Sequence, residues 1–162
     1  MALTISSQIS NLIATALEAI TIANGSTIDV SSVYRPTSLV GINRTPPGSY
    51  VIQMIEEDPE VNEELSIPGN PPLIAWNQGY ILDLIYRPSD SATVPVQQIL
   101  QTFWGEVVEA TMSDPQWSEL AIDTNYTAPQ WNIDDTNGAN MFTAIFTVTL
   151  RHPENDPYTA TP

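Results

Sequence analysis

Tyr80-Ile81-Leu82-Asp83-Leu84-Ile85-Tyr86-Arg87 is the strongest strand signal in the chain. Aromatic and branched apolar residues crowd it, side chains that suit a pleated, buried surface. Leu73–Trp76 precedes it across Asn77-Gln78-Gly79. That spacing predicts either a hairpin across Gly79 or a bulge there. Upstream, Ser49–Glu57 is a second strong strand, and Ile28–Tyr34 is a shorter one closed by Arg35-Pro36. Leu65–Ile67 is a brief strand ahead of the turn Pro68-Gly69-Asn70-Pro71-Pro72. Downstream, Leu120–Tyr126 reads as a strand and Pro129 to Asn140 as a loop. Met141–Arg151 is the last strand. It places Phe142, Ala144, Phe146, Val148 and Leu150 on one face and Thr143, Ile145, Thr147, Thr149 and Arg151 on the other.

Two helices frame these strands. Ile9, Leu12, Ile13, Ala16, Leu17 and Ile20 recur at steps of three and four and make one apolar stripe. Thr4, Ser6 or Ser7 caps its start, and Asn24-Gly25 is a left-handed stop signal. The opposite face carries Ser10, Asn11, Thr15 and Glu18. Val94–Met112 is the second helix, with Pro95 suited to its first position. Its stripe is Val96, Ile99, Leu100, Phe103, Val107 and Met112, with Trp104 and Val108 beside it. Ser113-Asp114-Pro115 ends it. Strands joined by short turns favour antiparallel pairing, and two amphipathic helices cover one face of one sheet. The predicted fold is α+β: a two-layer domain, mainly antiparallel sheet, with both helices on one face and long loops. Residues 1–152 form this single domain and 153–162 an extended, proline-containing tail.

The composition narrows function by exclusion. The 162 residues carry 19 acids against 4 bases, a formal charge of −15. All the bases are arginines: Arg35, Arg44, Arg87 and Arg151. Without cysteine there is no disulfide, thiolate nucleophile or cysteine-held metal. Without lysine there is no Walker-type phosphate loop and no Schiff-base chemistry. So acidic a surface repels nucleic-acid phosphates and anionic membranes. The acidity does not imply disorder, because apolar residues make up 42% of the chain. Met1–Ile20 lacks a basic residue and is interrupted by Ser6, Ser7, Gln8, Ser10 and Asn11, so it does not read as a secretory signal. No stretch approaches a membrane span. The expectation is a soluble protein, intracellular at synthesis, and the N-x-[ST] matches at Asn24, Asn43 and Asn125 are read as chance.

No motif carries catalysis or a cofactor. Asp134-Asp135-Thr136-Asn137-Gly138 approaches a calcium loop, but Ile133 and Ala144 occupy its two most important ligand positions, so a hairpin turn is the better reading. Glu106 and Glu109 share a helix face and read as a solvated pair. His152, the only histidine, has no nucleophile at recognisable spacing. The expectation is a non-enzyme without cofactor or metal. Glu56, Glu57, Asp58, Glu60, Glu63 and Glu64 form an acidic patch, and Asp58-Pro59 breaks any regular structure inside it. This patch is the candidate lumen or partner-facing surface. Trp117 and Trp131, beside prolines in loop-like contexts, are the candidate subunit-contact aromatics.

The layout resembles the tail terminator and minor tail (neck, tail-completion) proteins of long-tailed bacteriophages. The matching pieces are the amphipathic first helix, the strand exit Tyr34-Arg35-Pro36 and the central antiparallel region. A second helix precedes two last strands, and the close Val148-Thr149-Leu150-Arg151-His152-Pro153-Glu154-Asn155-Asp156-Pro157-Tyr158 runs a strand into an Asp-Pro segment. The resemblance implies a structural virion protein, made in the host cytoplasm, with no catalytic residues. It implies a ring, usually a homo-hexamer, that caps the tail tube and joins it to the head-tail connector. DNA then passes through the ring, and an acidic, lysine-free lumen lets the duplex slide without sticking. Another neck or baseplate protein fits the same layout. An acidic monomeric binding module, a DNA-mimic inhibitor, is the rival from a different class.

Overall fold

The computed structural model describes residues 4–35, 46–69, 72–134 and 139–152. The elements in chain order are α1 (Ile5–Glu18), β1 (Val30–Tyr34), β2 (Tyr50–Glu56), β3 (Glu60–Ile67), β4 (Leu73–Tyr86), α2 (Val96–Met112), β5 (Asp123–Tyr126), β6 (Gln130–Asp134) and β7 (Ala139–His152). They build one seven-stranded sheet with both helices packed on it, the predicted α+β architecture. Among the described strands only β1 and β2 pair in parallel. The tail 153–162 lies outside the described residues.

Two 14-residue strands, β4 and β7, form the spine. They pair antiparallel along their whole length, from Ile74↔His152 to Tyr86↔Asn140. On the far side of β4, β2 and β3 lie end to end; on the far side of β7, β5 and β6 do the same. Each lane beside the spine is thus one long strand broken in the middle, with β1 paired outside β2. The predicted interruption at Asn77-Gln78-Gly79 falls elsewhere: β4 runs straight through Gly79, and the break is in its partner at residues 57–59. The acidic stretch after Pro59 is likewise strand, not irregular chain, because pairing to β4 overrides the poor strand propensity of glutamate. The Pro129–Asn140 loop is also shorter than expected, since β6 occupies Gln130–Asp134. Residues 135–138, the candidate calcium loop or turn, lie outside the described residues, between strands that pair at Asp134↔Ala139.

Even-numbered positions of β2, β4 and β7 face the helices. Ile52, Met54, Tyr80, Leu82, Leu84, Phe142, Phe146 and Val148 join Ile9, Ile13 and Leu17 of α1 and Leu100, Phe103 and Val107 of α2 in one core. A row of rings crosses the sheet beneath α2: Tyr80 stacks on Phe146 at 5.0 Å and Phe146 on Tyr126 at 5.7 Å, with Trp104 edge-on to Tyr126 at 5.8 Å. Thr4 caps α1, its hydroxyl accepting from the Ser7 N–H at 3.1 Å. Gly25 takes the left-handed conformation, φ 96°, and closes a 3-10 turn at Ile22–Asn24 just beyond α1. Two helix assignments reverse. Ser10 is fully buried, because its hydroxyl is the partner that the core phenol of Tyr80 needs, at 3.1 Å. Met112 is 44% exposed, and Thr111 takes its place in the core by bonding back to the Val107 carbonyl at 2.7 Å and to the Tyr126 hydroxyl.

Candidate functional site

The break between β2 and β3 organises the acidic surface. Glu56 pairs with Tyr80 and Glu60 with Asn77, so residues 57–59 oppose only Gln78 and Gly79. This is a bulge of one extra residue, which bends the strand. Gln78 holds it: its side-chain amide donates to the Glu57 carbonyl, its oxygen accepts from the Ser6 hydroxyl at 3.3 Å, and the Glu57 N–H donates to the Gly79 carbonyl at 2.9 Å. A buried glutamine thus ties α1 to the bend. Gly79 lets Glu57 fold back, since a β-carbon there would sit 3.3 Å from the Glu57 β-carbon and overlap its carboxylate.

The bend opens a cleft of about 330 Å³ lined by Glu57, Asp58, Glu60, Asn77, Gly79 and Thr147. Its odd-numbered β4 and β7 residues belong to the sheet face opposite the helices. Asn77 forms a polar floor, its carbonyl oxygen accepting from the Asn62 amide at 3.2 Å and the Thr149 hydroxyl at 3.0 Å. Among the described residues no three acidic or histidine side chains converge closely enough to hold a metal ion.

The predicted patch divides into three. Glu57, Asp58 and Glu60 line the cleft. Glu63 and Glu64 lie further along β3 and are exposed. Glu56 is turned to the other side, where it bonds Arg35 at 2.6 Å; Arg35 in turn donates to the Asn11 side chain of α1 at 2.6 Å. That contact pins the exit of β1 to the first helix, which gives Glu56 a structural role.

Trp117 does not fit a subunit contact. It is 2% exposed, and its indole N–H donates to the Thr124 hydroxyl at 3.0 Å, so the ring belongs to this subunit's own core. Trp131 is half buried on β6, edge-on to Phe142 at 5.1 Å. Glu106 accepts from the Thr27 N–H at 2.9 Å and from the Thr27 hydroxyl at 2.5 Å, and those bonds hold its carboxyl below the usual range. It fastens the loop before β1 to α2. His152 ends β7 opposite Ile74.

One polar group escaped sequence reading. Gln53, Asp83 and Thr143 sit directly across from one another on three adjacent strands, on the face opposite the helices. Thr143 donates to Asp83 at 2.7 Å, burial pushes the Asp83 carboxyl up, and the buried Gln53 side-chain oxygen has no partner among the described residues. The only sequence signal is an acid inside an apolar strand. Among the described residues no helix is long and apolar enough to cross a membrane. The chain matches no known family model, and no characterised protein is significantly similar to it.

Proposed function

We propose that this protein is a structural component of the tail or neck of a long-tailed phage, one that forms a closed ring capping the tail tube and joining it to the connector. It acts by assembly, without catalysis or a cofactor. The observation that carries this reading is the acidic cleft on the face opposite the helices. Glu57, Asp58 and Glu60 line it, Glu63 and Glu64 are exposed further along β3, and the one described ion pair, Arg35–Glu56, lies on the other side. Such a face turned to a central passage repels phosphates and lets a duplex slide. Broken lanes beside the spine also suit a ring subunit, because heterologous contacts between different edges close by rotation.

Native mass spectrometry and electron microscopy of the concentrated protein test this. The expected result is a closed ring with the 57–64 acids at its lumen. A ring with these acids on its outer rim and a neutral lumen refutes the passage. The rival, an acidic DNA mimic, draws on the exposed Glu57–Glu64 run. It requires a monomer that binds a DNA-handling protein in competition with duplex DNA.

A further inference from the structure

The β3–β4 hairpin also carries an apolar surface, bordered by Glu60 of the acidic cleft and by Glu63 and Glu64. Val61, Leu65 and Ile67 of β3 are 48%, 41% and 47% exposed. Single exposed apolar side chains are ordinary, but Val61 and Ile67 meet at one groove across the irregularity between Asn62 and Ile67. Val61 and Ile67, with Pro68, Pro72 and Leu73, line this shallow groove of about 300 Å³, which Glu63 and Ser66 border. Glu60, Glu63 and Glu64 intervene along the same strand and are exposed too. Among the described strands β3 pairs with β4 alone.

Charge selects the occupant. A second copy of β3 laid antiparallel along the first sets glutamates against glutamates, and like charges directly opposed destabilise. The other outer strands offer no complement: β1 reads Val-Ser-Ser-Val-Tyr, β5 Asp-Thr-Asn-Tyr and β6 Gln-Trp-Asn-Ile-Asp. The chain has no lysine and four arginines, of which Arg35 is engaged by Glu56. Three arginines remain, but at a net charge of −15 a second copy brings far more acid than base, so a different, basic protein is the better complement. We propose that the β3 groove docks an extended segment of another protein in which apolar residues alternate with lysine or arginine. Its apolar side chains enter the groove beside Ile67 and Leu73, and its bases meet Glu60, Glu63 and Glu64. Apolar contact supplies affinity, while the charges supply selection and rate of encounter. This docking does not depend on ring formation.

Fluorescence anisotropy of the full-length protein with a labelled ten-residue peptide of alternating isoleucine and lysine tests the proposal. Val61→Ser with Ile67→Ser, and separately Glu63→Gln with Glu64→Gln, change only exposed side chains, and circular dichroism verifies their folds. Saturable binding is expected, weakened at least tenfold by the serine pair and at least threefold by the glutamine pair. Peptides with glutamate for lysine, or serine for isoleucine, are expected not to bind. Three results overturn the proposal: no binding of the isoleucine–lysine peptide, binding indifferent to the serine pair, or an oligomer that the serine pair dissociates, which makes a second copy the occupant.

Discussion

Asp83 is a carboxylate placed among apolar side chains, and its protonation is written into the stability of the sheet. Burial raises its pKa despite the bond from Thr143. The folded state therefore keeps the proton to higher pH than the unfolded chain does. Stability is then lost as pH rises from the ordinary carboxylate range through the raised value. Asp83→Asn removes that loss, keeps an acceptor for Thr143 and brings a donor opposite the unpartnered Gln53 oxygen. The variant is expected to gain about 1 kcal/mol at pH 8, with the gain shrinking toward about pH 4, read by urea unfolding across pH. Glu106 has the opposite sign. Its pKa is lowered by Thr27, so its contribution is present above the ordinary carboxylate pKa and fades as pH falls through the lowered value. The group is largely solvated, so the effect is small. Glu106→Gln is expected to lower the melting temperature slightly at about pH 7, with the difference shrinking as pH falls through the lowered value.

At the scale of elements, the segment after α2 stores strain that a substitution releases. Trp117, Ser118 and Glu119 hold φ values of 49°, 60° and 69°, a left-handed run of non-glycine residues. The Asp114 carboxylate accepts from the Ser118 N–H at 2.6 Å, and the buried Trp117 indole anchors the turn. Glu119 is exposed and touches neither anchor, so Glu119→Gly is expected to stabilise by about 1 kcal/mol, measured as a rise in melting temperature. This turn also shows where sequence reading stops. Pro115 announced a loop, but nothing local says that Trp117 folds back into the core, because its partner Thr124 is set by the sheet. Both helices and the β2, β4 and β7 strands were legible, since periodicity follows directly from which face is buried. Only the Leu65–Ile67 end of β3 is legible, because glutamates mask its first half, and the hairpin or bulge expected at Gly79 falls instead in the partner strand. Gly79 marks the bend, yet only cross-strand register reveals that the extra residue lies in its partner.

For the whole molecule, charge is the dominant fact. A formal charge of −15 in 162 residues makes the folded state repel itself. Raising salt from about 20 mM to about 200 mM shortens the Debye length several-fold and is expected to raise the melting temperature, which calorimetry reads. The sequence located the acidity but not its direction. Only the fold shows that Glu57, Asp58 and Glu60 line a cleft while Glu56 is neutralised by Arg35. Tail assembly addresses the proposed role most directly. In a phage whose copy of this gene is interrupted, electron micrographs are expected to show tails longer and more variable than normal. Tails of normal, uniform length would contradict the proposal that this protein caps the tube.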